Sequence, residues 1–189
     1  MNKEKVKNTL LVVLTTGIVS MTIAYATFTS QLLIKDNNLR ISNDTWDIHF
    51  ENGQPMRPFG TSYVISEPDL SYSLITNFDA KFNAPGDYLE YDFDIKNAGT
   101  LDAVLGSIVY TTPTCTGSVS DEAVAVCNKI DFKVINRNTG NEIKMGDLLD
   151  KGESIPATLI ITYDESSNVN ITGEIKVSGF SILFTYYQR

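Results

Sequence analysis

Large apolar side chains in this chain recur at every second residue. In "DYLEYDFDIKN", Leu89, Tyr91, Phe93 and Ile95 alternate with Glu90, Asp92, Asp94 and Lys96. Successive side chains of an extended backbone point to opposite faces. This spelling therefore makes one apolar and one wet surface, as in a half-buried strand of an antiparallel sheet. The same period runs through "TWDIHFEN" (Trp46, Ile48, Phe50) and "LITNFDAKFNA" (Leu74, Thr76, Phe78, Ala80, Phe82). It returns in "IDFKVI" (Ile130, Phe132, Val134) and "PATLIITYD" (Ala157, Leu159, Ile161, Tyr163). A helical period fits only "SDEAVAVCNK", with Ser120 as its expected cap and Asp121 and Glu122 suited to its first turn.

Where the alternation changes parity, it predicts a bend. Ile171, Ile175 and Val177 share one parity and Phe180, Ile182, Phe184 and Tyr186 the other, so an extra residue near Ser178-Gly179 is expected as a β-bulge. The same switch falls at Gly106, between Leu105 and Ile108. Turn chemistry separates the runs at Asn52-Gly53, Pro85-Gly86-Asp87, Asn97-Ala98-Gly99, Asn138-Thr139-Gly140 and Lys151-Gly152. The pattern predicts an all-β, antiparallel two-sheet sandwich over residues 27–189, with a core drawn from Trp46, Phe93, Ile95, Leu159, Ile161, Phe180, Ile182 and Phe184.

Ahead of it, Lys3, Lys5 and Lys7 precede an uncharged apolar stretch that ends at Ala24-Tyr25-Ala26. That order of basic, apolar and small residues predicts a hydrophobic helix acting as a signal peptide over residues 1–26, with Thr27 as the first mature residue. The competing reading is an uncleaved membrane anchor, because Leu10 to Phe28 is long enough to span a bilayer. Both readings place the rest of the chain outside the cell, as an extracellular or surface protein. Removal of residues 1–26 would take the formal charge from −8 to −10. So acidic a chain is a poor nucleic-acid binder, because phosphate recognition needs clustered Lys and Arg.

Two cysteines remain in the exported part, Cys115 and Cys127. Outside the cytoplasm a pair at this spacing predicts a disulfide, with "SDEAVAVCNK" inside the loop it closes. A zinc site is the alternative, but two thiols and one distant His49 are too few ligands.

Pro85-Gly86-Asp87, the strand running to Asn97, and the Gly99-Thr100 turn into Ala103-Val104-Leu105 together resemble the central signature of the camelysin/TasA family. The Ala24-Tyr25-Ala26-Thr27-Phe28 junction is similar to the junction of its exported precursors. The resemblance implies a jelly-roll fold, export from a Gram-positive bacterium and, for the best-known members, a role as fibre subunits of the biofilm matrix. It also implies a link to proteins classed as metallopeptidases.

The residues themselves argue against catalysis. No H-E-x-x-H, G-x-S-x-G or G-x-G-x-x-G occurs, and the sole His49 alternates onto an outward face. Glu90, Asp92 and Asp94 share a face but read as a solvated surface. The loops Ile34 to Asp44 and Tyr163 to Asn170 are rich in oxygen ligands without calcium-loop spacing, and they read as turns. No enzyme activity and no cofactor are expected.

Two function classes remain. In the first, the mature segment "TFTSQLLIKD", with Phe28, Leu32 and Ile34 on one parity, adds as a strand to the next copy and builds a filament. The partners are then the chain itself, other matrix components and a signal peptidase during export. In the second, the sandwich recognises a glycan or protein through its loops, with Met56, Pro58 and Phe59 of "GQPMRPFG" as an exposed contact point.

Overall fold

The computed structural model describes residues 45–169 and 171–189. The expected signal or anchor helix lies outside them. So do the cleavage residues Ala24, Ala26 and Thr27 and the segment carrying Phe28, Leu32 and Ile34.

Every named strand is antiparallel to its neighbours. The first layer contains β1 (Ile48–Glu51), β2 (Arg57–Phe59), β7 (Tyr88–Asn97), β10 (Ile130–Asn136) and β12 (Ser154–Tyr163). Its order is β1-β7-β12-β10, with β2 also on β7. β1 pairs with residues 94–97 of β7 and β2 with residues 88–90, so they form one edge strand interrupted by the loop 52–56.

The facing layer is built from two smaller sheets. One has the order β11-β8-β14-β5-β4, from β4 (Asp69–Ser71), β5 (Leu74–Thr76), β8 (Ala103–Tyr110), β11 (Leu148–Leu149) and β14 (Ile182–Gln188). The other has the order β3-β6-β13-β9, from β3 (Tyr63–Ser66), β6 (Asp79–Phe82), β9 (Thr114–Gly117) and β13 (Ile175–Ser178). Both follow one plan. Each long extended run serves the first of these sheets with one half and the second with the other: β4 and β3, β5 and β6, β14 and β13, β8 and β9.

Each run bends where its chemistry breaks a ladder. Pro68 lies between β3 and β4 and Pro113 between β8 and β9, and neither residue can donate a ladder hydrogen bond. Asn77 (φ 61°) separates β5 from β6, and Gly179 (φ 69°) separates β13 from β14. The left-handed backbone turns the chain at both places. Two expectations are corrected here. Ser178-Gly179 is a crossing between sheets and not a bulge. At Asn77 the parity of "LITNFDAKFNA" flips, so Ile75 is fully buried in place of Leu74 and Thr76.

The switch at Gly106 is a bulge. Thr185 faces Ser107 and Tyr186 faces Leu105, leaving Gly106 as the extra residue of β8. A Cβ on Gly106 would lie 1.9 Å from a ring carbon of Tyr187, so the ring rests where a side chain would otherwise stand.

The layers enclose one apolar core. Phe93, Ile95, Leu159, Ile161, Phe180, Ile182 and Phe184 are all buried in it, and Trp46 packs against it only in part. Aromatic contacts join the layers, with Phe50 on β1 edge-on to Phe184 on β14 (5.0 Å) and Phe132 on β10 stacked on Phe180 (3.9 Å). Burying a Phe side chain contributes about 1.5–3 kcal/mol, so this ladder is a main source of cohesion.

Candidate functional site

The turn before β7 is built around Asp87. Its side chain accepts hydrogen bonds from the backbone N–H groups of Thr61 (2.7 Å), Asn83 (2.9 Å) and Ala84 (3.0 Å), and from the Thr61 hydroxyl. Burial pushes its pKa up, but these bonds outweigh burial and hold the carboxyl below its ordinary value. At the far end of β7 Asn97 is fully buried. Its Nδ2 donates to the carbonyls of Leu101 (2.9 Å) and Leu149 (3.1 Å), and its Oδ1 accepts from Gly99 N (3.0 Å). The Pro-Gly-Asp and Asn-Ala-Gly ends thus pin β7 to neighbouring loops, which is structural work.

Along its outer face β7 carries a charge ladder. Arg57 on β2 reaches Asp92 with Nη1 (2.6 Å) and Glu90 with Nη2 (2.7 Å). Arg137, just after β10, reaches Asp94 (2.7 Å), and its Nη1 lies 3.5 Å from Asp92. Thr158 on β12 donates to the other oxygen of Asp92 (2.5 Å). Asp92 points outward as the alternation requires, yet it is only 7% exposed, because two arginines roof it. Burial raises its pKa, and the bonds from Arg57 and Thr158 with the charge of Arg137 bring it below the ordinary value. Glu90 and Asp92 thus share Arg57, and Asp92 and Asp94 share Arg137, three carboxylates tied by two arginines. The alternation found the face but not the roof, since both arginines come from distant segments.

The expected contact loop is folded differently from the sequence reading. Met56 is 4% exposed, and its N–H donates to Glu67 (2.8 Å). Phe59 stacks on Tyr88 (4.4 Å, 6° between rings) and is partly buried, and of the three only Pro58 is exposed. Met56 turns inward because β2 docks on β7, with Pro58 opposite Leu89. An exposed apolar contact point at Met56, Pro58 and Phe59 is therefore not formed as expected.

Cys115 on β9 is bonded to Cys127 at the end of α1 (Ser120–Cys127), with the sulfurs 2.01 Å apart. The helix starts from Val119 with no side-chain cap, correcting the expectation for Ser120. His49 does lie on an outer face, 2.8 Å from Asp47 and 3.7 Å from Glu51. The loop after Tyr163 bonds to itself, Asp164 accepting from Ser166 (2.8 Å) and Tyr163 lying 3.0 Å from Ser167. Among the described residues no three His, Cys, Asp or Glu side chains form a metal-holding group.

One flank of the sandwich is half open. The connection from β10 to β11 closes its upper part: Ile143 N bonds Val134 O, Asn136 N bonds Asn141 O, and β11 pairs with β8. These bonds show that Val134 and Asn136 direct their backbone groups away from β12, and alternation extends this to Ile130 and Phe132. Among the described residues no partner takes the outward N–H and C=O of Ile130 and Phe132. Tyr110, Phe132 and Phe180 stack beside this stretch, and Asp131, Lys133, Glu142 and Asp164 line an open cleft along it. The signal for this edge is absent from the sequence, because it depends on where residues 141–143 settle.

Compared with known proteins, the chain matches no family model, no curated protein and no solved structure.

Proposed function

We propose that this chain is an exported structural protein of the camelysin/TasA type, a jelly-roll-like sandwich that serves as a matrix or fibre subunit at the cell surface or outside the cell. The observation that carries the reading is the edge at Ile130 and Phe132, which no described residue pairs. An open edge of an antiparallel layer is a template for another extended segment, which gains affinity from main-chain bonds and register from alternate side chains. The mature segment with Phe28, Leu32 and Ile34 has the alternation such an edge accepts. Donation from each copy to the next is head-to-tail and extends without closing.

The acidic charge opposes assembly, so added salt or acid should promote it. The exported protein should begin at Thr27 by mass spectrometry, and concentrated samples should form filaments as salt rises. A version beginning at Lys35 should stay monomeric under the same conditions. If both sediment alike as monomers, the fibre reading fails and recognition through the loops replaces it.

A further inference from the structure

Asp47, just before β1, and His49 and Glu51 on it alternate along the extended chain and so share its outer side. β1 and β10 lie at opposite ends of the first layer, so this cluster is separate from the edge at Phe132. His49 Nδ1 is 2.8 Å from Asp47 Oδ1, and the Tyr72 hydroxyl donates to the same oxygen (3.2 Å). The Tyr72 ring lies against the imidazole, 5.7 Å between centroids. Asp47 is fixed in turn, because its carbonyl accepts from Ala98 N (2.8 Å) and Gly99 N (3.2 Å). On the other side of the ring, Nε2 is 3.7 Å from Glu51 Oε2.

The two ring nitrogens are thus in different situations. An ionised carboxylate only accepts hydrogen bonds, so the bond to Asp47 places the imidazole proton on Nδ1 and leaves a lone pair on Nε2. Glu51 Oε2 faces that lone pair from beyond hydrogen-bond distance. Glu51 also lies opposite Asp94 in the β1–β7 ladder, and like charges directly opposite destabilise a sheet. Asp94 has Arg137 (2.7 Å), whereas the ion-pair partner of Glu51 among the described residues is His49 alone. Lys96 lies opposite His49 but turns its Nζ to the Gly152 carbonyl (2.8 Å). A cation between Nε2 and Oε2 would therefore meet two electron-pair donors and relieve a like-charge pair.

We propose that His49 Nε2 and Glu51 Oε2 bind a divalent transition-metal ion of the Zn²⁺ and Cu²⁺ class. A metal-bound histidine characteristically gives its other N–H to a carboxylate, and Asp47 holds that place here with Tyr72 behind it. Zinc takes imidazole nitrogen at about 2.0–2.1 Å and carboxylate oxygen at about 2.0–2.2 Å. Donors 3.7 Å apart meet both distances at an angle of about 120°, close to tetrahedral. One imidazole with one carboxylate selects this class over Ca²⁺ and Mg²⁺, which take oxygen donors. Asp47 belongs to the opposite ring nitrogen and is a positioning residue, so the protein supplies two ligands and water the others. The side chains are open to an entering ion, 25% exposed for His49 and 40% for Glu51. An ion held by two side chains exchanges readily, unlike one in a closed four-ligand site.

The test is Zn²⁺ binding by the exported chain without an added histidine tag, His49 being its sole histidine. Calorimetric titration should show one saturable Zn²⁺ site per chain, which excess Ca²⁺ does not displace. Glu51→Gln, His49→Gln and Asp47→Asn should each weaken binding about tenfold or more, with metal-free melting temperatures close to the parent's. Asp131→Asn, an exposed acid on β10, should bind like the parent. Nitrogen-15 NMR of His49 in the parent chain reads the site directly: Zn²⁺ should shift the Nε2 resonance while Nδ1 keeps its proton. In Asp47→Asn the proton should no longer be confined to Nδ1, an effect that a merely structural Asp47 would not produce. Three results overturn the proposal. One is the absence of saturable Zn²⁺ binding. Another is binding that survives both Glu51→Gln and His49→Gln, which places the ion elsewhere. The third is an imidazole that stays protonated on both nitrogens with Zn²⁺ present, which makes His49 itself the cation between the two carboxylates.

Discussion

Asp87 and Asp92 are acids of two kinds in the sequence, one in a turn and one on a predicted wet face, yet the fold treats them alike. Both are nearly excluded from water and both keep their charge through bonds from elsewhere in the chain. Replacing Asp87 with Ala leaves three backbone N–H groups without their acceptor, and the expected cost is about 3 kcal/mol by denaturant titration. Asp92→Ala should cost about 2 kcal/mol, whereas the exposed Asp131→Ala should stay within about 0.5 kcal/mol. Equal, small effects at all three would mean that the arginine roof is not formed in solution. The pH dependence has a definite sign. Each of the two carboxyls has a folded pKa below its unfolded value near 4, so its stabilisation is complete above that value. It is lost as the pH falls through the folded value. Unfolding free energy should therefore decline below about pH 4, and less steeply in Asp87→Asn.

Elements in this fold are shorter than the runs of sequence that encode them. Alternation in "VNITGEIKVSGFSILFTYY" reads as one bulged strand, whereas the chain crosses between sheets at Gly179. Both outcomes need the same parity change, so period alone does not separate them. The physical difference is the left-handed backbone at Gly179, which breaks the ladder altogether, against the bulge at Gly106, where the ladder resumes. An L-residue at φ 69° costs about 1–2 kcal/mol, and Asn enters that region more readily than Ala. Gly179→Ala should lower stability by that amount and Gly179→Asn by less, measured as shifts in denaturant midpoint at constant slope. An identical loss for both would point to packing and not to backbone strain.

At the scale of the molecule, a layered apolar core and one covalent staple hold the fold. The Cys115–Cys127 bond closes a loop with a sequence separation of 12 and ties α1 to β9. In the chain-entropy account such a loop contributes about 3 kcal/mol, mainly by restricting the unfolded chain. Reduction should thus lower the melting temperature while leaving the β-rich circular dichroism spectrum intact at room temperature; collapse on reduction would show that the core cannot stand alone. The sequence by itself determined the fold class, the strands β7, β10 and β12, their buried faces and the bulge at Gly106, because these follow from a period-two pattern and local turn chemistry. It also placed the two cysteines close enough to bond. Only the tertiary structure decided that Met56 turns inward and that Asp92 is roofed by Arg57 and Arg137. It also decided that β10 is paired at Val134 by the 141–143 segment but by no described residue at Phe132, and that Leu183 and Val104 each line up with apolar neighbours across strands. Each of these depends on which distant segments become neighbours, and alternation along a strand reports its two faces without saying what lies across them.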